Sequence, residues 1–82
     1  MIPIKDTRDL GSHLKLLRKQ TKLSQTDLAL RAGLSRSAIQ AIEGGKETYQ
    51  LDTLFKVLTI LNVKVGIEHP LLKATADATT SD

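Results

Sequence analysis

The chain has 82 residues and a formal net charge of +3, with 12 lysine and arginine residues against 9 aspartate and glutamate residues. It contains no cysteine, which excludes disulfides and thiolate metal sites, and a domain this small is marginally stable by itself. Aromatic residues are 2% of the chain, so the core has to be aliphatic. No apolar run reaches the roughly 18 residues that span a bilayer, and no signal-peptide pattern begins the chain. We therefore expect a cytoplasmic protein with no membrane partner.

The spacing of apolar residues predicts four helices. Each is preceded by a residue that can cap a helix or followed by a glycine or asparagine that can end one. The predicted helices cover residues 8–21, 25–32, 36–43 and 51–61. The buried face of the fourth helix is expected to comprise Leu51, Leu54, Phe55, Leu58 and Leu61.

A strand is predicted after the fourth helix. Val63, Val65 and Ile67 alternate with polar or small residues, which is the period of a β-strand. A lone strand leaves its backbone groups unpaired, and the chain offers only one other short candidate, residues 2–5. Two pairings are therefore open: with residues 2–5 of the same chain, or with the same strand of a second copy. A melting temperature that rises with protein concentration would indicate the second copy.

A homodimer would give this strand a partner. In that arrangement the apolar side of the strand covers the fourth helices. The predicted dimer interface comprises Phe55, Leu58, Val63, Val65 and Ile67. The domain is expected to cover residues 7–69, with a lead-in over residues 1–6 and a flexible, Ala-, Thr- and Asp-rich tail over residues 70–82.

Residues 25–42 carry the pattern of a helix-turn-helix. Two short helices joined by a short turn cross steeply, so the first helix needs a small residue at the contact and the turn needs a glycine. Ala29 and Gly33 meet these needs. The inward face would then comprise Leu28, Ala32, Leu34, Ile39 and Ile42. This pattern resembles the XRE (Cro/C1-type) helix-turn-helix family.

The resemblance extends over residues 7–69 to the HipB-like antitoxin branch of that family. It rests on Asp9-Leu10-Gly11, Leu17-Arg18-Lys19, residues 23–29, residues 43–46 and residues 51–58. It implies a mainly α, lambda-repressor-like DNA-binding domain of four to five helices, with a C-terminal β-strand that pairs across a homodimer. It further implies a repressor of an inverted-repeat operator that partners a HipA-like Ser/Thr kinase toxin. Family geometry also implies an ion pair between Arg18 and Glu43.

The third helix is the expected recognition helix, because the second helix of such a motif lies in the major groove with its N-terminal residues at the base edges. Base contacts are expected from Arg36, Ser37 and Gln40, with a methyl contact from Ala41. Arg36 can donate two hydrogen bonds to guanine, and Gln40 can pair with adenine. The plainer alternative for Arg36 is that it is solvated or holds a phosphate.

Phosphate contacts are expected from helix N-termini and from the loop after the third helix. The candidates are Gln25, Thr26, Ser35, Lys46 and Tyr49. Two of them have a structural alternative, since Gln25 can simply cap its helix and the ring of Tyr49 can pack on the fourth helix.

An enzyme is not expected from this sequence. The two histidines, His13 and His69, lie on unrelated elements, and no phosphate-binding loop or metal-binding motif occurs, so no cofactor is predicted. The competing class is a protein-interaction antitoxin whose DNA binding is incidental, and a regulator of this family without a toxin is a further alternative. Weak operator binding that Arg36→Ala and Gln40→Ala leave unchanged would favour the interaction module.

Overall fold

The computed structural model describes residues 1–71, which form four helices. The helices are α1 (Thr7–Gln20), α2 (Gln25–Ala32), α3 (Arg36–Glu43) and α4 (Leu51–Ile60). The predicted bounds of α2 and α3 are confirmed at both ends, and those of α1 and α4 lie within one residue. Of the predicted tail, residues 72–82 lie outside the described residues. No helix within residues 1–71 is both long and apolar enough to cross a membrane.

Side-chain caps start the first three helices. Asp6, Ser24 and Ser35 each accept a hydrogen bond from the backbone N–H three residues later, at 2.8, 3.0 and 3.2 Å. The cap of α2 is reciprocal, because the carboxylate of Asp27 accepts from the backbone N–H of Ser24 at 3.3 Å. Gln50, which precedes α4, makes no such bond. The N-terminus of α4 therefore lacks a side-chain cap, although the N–H of Thr53 donates to the carbonyl of Gln50 at 3.1 Å.

The core is aliphatic and lies between the helices, with α3 packed on α1 and α2, and α4 packed on α2. Burial of side chains of this kind contributes about 1.5–3 kcal/mol each. The buried apolar residues are Leu14, Leu28, Ala29, Ile39, Ile42, Val57, Leu58 and Leu61.

The predicted buried face of α4 is wrong at two positions. Leu51 is 64% exposed and Phe55 is 45% exposed, whereas Val57, which was not predicted, is buried. The face that packs inward contains Leu54, Val57, Leu58 and Leu61. Leu51 lies roughly 60° around the helix from Leu54, at the edge of that face, and Phe55 lies roughly 100° from Leu54, beyond the edge.

Helix α1 crosses the end of α3 at Gly11. A methyl group on Gly11 would lie closer than van der Waals contact to the backbone carbonyl oxygens of Ile42 and Glu43, 2.8 Å from that of Glu43. The two helices can therefore approach this closely only because residue 11 has no side chain.

The segment after α4 forms no strand within the described residues. It runs beside the N-terminal residues, and the two segments line one side of an apolar groove of about 710 Å³. No backbone hydrogen bond joins residues 63–69 to residues 2–5, so the pairing within one chain is not formed. We call this surface the apolar groove; its apolar lining includes Met1, Ile2, Ile4, Leu17, Leu51, Leu54, Phe55, Val63 and Val65.

Candidate nucleic-acid interface

Helices α2 and α3 form a helix-turn-helix whose turn is closed by backbone hydrogen bonds. Gly33 has φ 72° and ψ 33°, the left-handed conformation that glycine adopts most readily. Its N–H donates to the carbonyl of Leu30 at 3.3 Å, and the N–H of Leu34 donates to that of Ala29 at 2.8 Å. Ala29 is buried at the contact, so the roles predicted for Ala29 and Gly33 are confirmed.

The outward face of α3 carries the residues predicted to contact bases. Arg36, Ser37 and Gln40 are exposed, and Ala41 is half-buried. The opposite face is anchored in the core by its isoleucines, which are 1% and 2% exposed. Helix α3 is thus divided into a polar face open to solvent and an apolar face fixed in the core.

The residues predicted to contact phosphates lie at three places. Gln25 and Thr26 begin α2, Ser35 precedes α3, and Lys46 and Tyr49 lie in the loop that follows α3. Thr26, Ser35 and Lys46 are exposed. The ring of Tyr49 packs against the core, and burial raises the pKa of its hydroxyl.

A buried ion pair joins α1 to the end of α3, as the family geometry implied. Arg18 donates from Nε to Glu43 Oε2 at 2.6 Å and from Nη2 to Glu43 Oε1 at 3.0 Å. The two side chains are only 8% and 5% exposed. The remaining Nη1 of Arg18 donates to the carbonyl of Leu23 at 2.9 Å, so the guanidinium is held on all sides.

The charge state of this pair follows from its hydrogen bonds. Burial by itself raises the pKa of Glu43, but hydrogen bonds from Arg18 and Gln25, with the charges of Arg18 and Lys15, bring that pKa below its ordinary value. The hydrogen bond to Glu43 raises the pKa of Arg18. Both groups are therefore charged at neutral pH.

Gln25 connects the ion pair to the start of α3. Its Nε2 donates to Glu43 Oε1 at 3.1 Å, and its Oε1 accepts from Arg36 Nε at 3.4 Å. Ser24, rather than Gln25, caps α2. This link between α2 and α3 was not predicted from the sequence. The spacing of seven residues does place Arg36 and Glu43 on one face of α3.

The residues predicted for a dimer interface differ in exposure. Phe55, Val65 and Ile67 are 45%, 61% and 83% exposed, and Val63 is half-buried. Leu58 is only 3% exposed, because it packs into the core of its own chain. Leu58 nevertheless lines the apolar groove, so the predicted dimer interface stays a prediction.

Known proteins resemble this chain in sequence and in fold. The helix-turn-helix family profile matches residues 14–67. The HTH-type transcriptional regulator y4mF of Sinorhizobium fredii is 34% identical over 67 residues, which are 82% of this chain and 88% of that protein.

Two solved structures illustrate the likeness in fold. A chain of the HipA-HipB-O2-O3 complex superposes with a TM-score of 0.79 at 26% identity, covering 85% of this chain and 99% of its own length. The master regulator for biofilm formation SinR, in complex with DNA, superposes with a TM-score of 0.61 at 30% identity. The superposition covers 67% of this chain and 89% of the SinR chain. The chain therefore belongs to the XRE-type helix-turn-helix family of DNA-binding transcriptional regulators.

Proposed function

We propose that this regulator is a repressor that acts as a homodimer on an inverted-repeat operator. The observation that carries the proposal is the polar face of α3, where Arg36, Ser37 and Gln40 are exposed on a helix fixed in the core from its other side. Such a face enters the major groove in helix-turn-helix proteins. Arg36 would donate to guanine O6 and N7, Gln40 would pair with adenine, and Ala41 would touch a thymine methyl group.

Phosphate contacts would hold α3 in the groove on both sides. The exposed candidates are Thr26 at the start of α2, Ser35 at the start of α3 and Lys46 in the following loop. The backbone N–H groups at the starts of α2 and α3 add a partial positive charge at the same surface. Together these groups would fix the orientation of the domain on the duplex without reading its sequence.

The test is binding to the promoter fragment upstream of the gene, measured by fluorescence anisotropy at several salt concentrations. Arg36→Ala should weaken binding by about 5- to 150-fold, the equivalent of about 1–3 kcal/mol for a bidentate base contact. Arg31→Ala is the matched control, because Arg31 is an exposed arginine of α2. No sequence-selective binding by the wild type, or equal losses for both variants, would refute direct reading of bases by α3.

A second copy of the chain is the proposed occupant of the apolar groove. Phe55 and Val65 line the groove and are exposed, and Ile67 is 83% exposed. The segment containing Val65 and Ile67 lacks a strand partner among residues 1–71. Antiparallel pairing of residues 63–68 with their symmetry mates would satisfy those backbone groups and cover the apolar surface. The dimer would then present two α3 helices to two half-sites.

Sedimentation equilibrium tests the dimer. Val65→Asp should convert the dimer to a monomer and abolish any dependence of the melting temperature on protein concentration. Leu30→Asp is the matched control, since Leu30 is 79% exposed on α2 and does not line the groove. A wild-type monomer at all concentrations, or equal effects of the two variants, would contradict the proposed interface.

The proposed regulatory setting is a toxin–antitoxin operon with a HipA-like Ser/Thr kinase as the partner. It is supported by the likeness to a chain of the HipA-HipB-O2-O3 complex over 85% of this chain. The test is whether an adjacent reading frame encodes a kinase-like protein that co-purifies with this one and whether the complex binds the promoter. An adjacent kinase that does not co-purify would refute the antitoxin role and leave a regulator without a toxin.

A further inference from the structure

Two residues of opposite charge lie in the segment that lacks a strand partner. In residues 63–68 the even positions hold Lys64, Gly66 and Glu68, and a β-strand places alternate residues on one face. Both charged residues are exposed and line the apolar groove. Neither forms an ion pair among residues 1–71. A strand that pairs here is therefore favoured if it brings a negative charge to Lys64 and a positive charge to Glu68.

A second copy of the same segment has these charges in the required order when it runs antiparallel. Side chains that lie directly opposite each other in an antiparallel pair point to the same face. The apolar face of Val63, Val65 and Ile67 therefore stays whole only if odd-numbered residues face odd-numbered ones. The twofold axis of the pair then passes through a residue of the segment, and the central candidates are Val65, Gly66 and Ile67.

These three positions of the axis differ in what faces the charges. With the axis at Gly66, each Lys64 faces the partner's Glu68, and two charge pairs form. Each Val65 then faces the partner's Ile67 on the other face, so the apolar residues are paired as well. With the axis at Val65, Lys64 faces the partner's Gly66 instead. With the axis at Ile67, Glu68 faces that glycine. Opposite charges therefore meet only when the axis passes through Gly66.

The charges of Lys64 and Glu68 meet between two chains and not within one. Along one strand the two residues are about 13 Å apart, whereas directly opposite residues of two strands are about 5 Å apart. We infer that Lys64 and Glu68 fix the register of the dimer by pairing across a twofold axis at Gly66, and that they favour a second copy of this chain over strands without this charge order. This inference rests on the proposed function, in which residues 63–68 of two chains pair.

Reversal of one charge tests the pairing. Because the twofold axis repeats every contact, Lys64→Glu replaces two attractions by two repulsions, and so does Glu68→Lys. Each variant should dimerise about 10- to 100-fold more weakly than the wild type in sedimentation equilibrium at low ionic strength. The loss should shrink at high salt, since exposed charges are screened. Lys19→Glu is the matched control, because Lys19 is an exposed lysine of α1 that does not line the groove.

A mixture of the two variants separates charge pairing from damage to the fold. The charges of the segment are all negative in Lys64→Glu and all positive in Glu68→Lys, so each homodimer is repelled and the mixed dimer is attracted. With one variant isotope-labelled, native mass spectrometry should show mostly heterodimers. A single chain carrying both substitutions keeps opposite charges across the axis and should dimerise like the wild type.

Single cysteines measure the position of the axis directly, because the chain has no cysteine of its own. At the axis, the two copies of a residue lie directly opposite each other, with Cα atoms about 4.5–5.5 Å apart, a distance that a disulfide can bridge. Gly66→Cys should therefore cross-link the dimer. The added Cβ fits, since it would lie 4.0 Å from Met1 Cε, an ordinary van der Waals contact. Val65→Cys and Ile67→Cys should cross-link more slowly, because each would lie about 7–8 Å from its own copy.

The outcomes separate this inference from the proposed dimer. If the wild type is a monomer at every concentration, the proposed dimer itself fails. If the wild type dimerises but Lys64→Glu and Glu68→Lys dimerise as well as Lys19→Glu, the charge pairing is refuted. Faster cross-linking at either neighbouring position than at Gly66 would refute the register. A mixture with no excess of heterodimers would refute the selection of partners by charge.

Discussion

Replacement of Arg18 by methionine tests what holds α3 against α1. Arg18→Met removes two hydrogen bonds to Glu43, at 2.6 and 3.0 Å, and one to the carbonyl of Leu23, at 2.9 Å. The Glu43 side chain is 5% exposed, so its carboxylate would stay buried with Gln25 as its remaining donor. Leaving a charge uncompensated in this way costs about 3–5 kcal/mol. That is a large share of the roughly 4–12 kcal/mol expected for the unfolding of a chain of this size.

Urea unfolding followed by circular dichroism measures this loss. The protein concentration is kept fixed because the proposed dimerisation would shift the midpoint. Combining Arg18→Met with Glu43→Leu removes the uncompensated charge and should recover most of the stability. Arg31→Met, at an exposed arginine, should change the free energy of unfolding by less than about 0.5 kcal/mol. An Arg18→Met protein within about 1 kcal/mol of the wild type would refute a structural role for the pair. A double variant no more stable than Arg18→Met alone would refute the uncompensated charge as the cause.

Three other substitutions test separate features of the fold. The folded-state pKa of Glu43 lies below its ordinary value of 4.5, so the pair stabilises the fold fully above pH 4.5 and loses this contribution as the pH falls through the lower folded-state pKa. Urea unfolding between pH 7 and pH 3 should show a smaller loss of stability in Glu43→Gln than in the wild type. An equal dependence of the free energy of unfolding on pH in the two proteins would contradict this assignment. Gly11→Ala should lower the free energy of unfolding by about 1–3 kcal/mol, because the added methyl group meets two backbone carbonyls. Ser12→Ala, at an exposed neighbouring position, serves as the control in the same thermal melts. If Gly11→Ala has the stability of the wild type, α1 and α3 can move apart at no cost. Lys22 has φ 63°, a backbone conformation that costs a residue with a side chain about 1 kcal/mol. Lys22→Gly should therefore raise the urea midpoint, whereas Lys22→Ala should not. Equal urea midpoints for the two variants would argue against backbone strain at this position.

The helix-turn-helix could be predicted from the sequence because its signals are local. Ser24 and Ser35 stand directly before the helices that they cap, and Gly33 stands directly after the helix that it ends. Capping and turn formation depend on a few neighbouring residues. The bounds of α2 and α3 and the polar face of α3 were therefore correct from the sequence alone.

The inward face of α4 could not be predicted because the helix has two overlapping apolar stripes. One runs through Leu51 and Phe55 and the other through Val57 and Leu61, and both share the positions between them. Only the packing of α4 on α2 selects the second stripe. The first stripe is left on the surface, where it lines the apolar groove.

The hydrogen bonds of Gln25 were missed because they depend on residues far apart in the chain. Gln25 and Glu43 are 18 positions apart, and their side chains meet only after α1, α2 and α3 have packed together. A glutamine at the start of a helix has several possible partners in the sequence alone, including water, a phosphate and its own helix. The family geometry supplied the pairing of Arg18 with Glu43 but not the third partner.

The uncapped start of α4 has a consequence for local opening. Without a side-chain acceptor at Gln50, the first turn of α4 loses the stabilisation of about 1 kcal/mol that such a cap provides. In hydrogen exchange, the amides of that turn should open before those at the capped starts of α1 and α2. Leu51 lies on this turn and Phe55 directly follows it, at the surface that a second chain would cover in the proposed dimer. In the proposed dimer, ordering of the first turn of α4 and association of the two chains would therefore be thermodynamically coupled, and each event would increase the stability of the other.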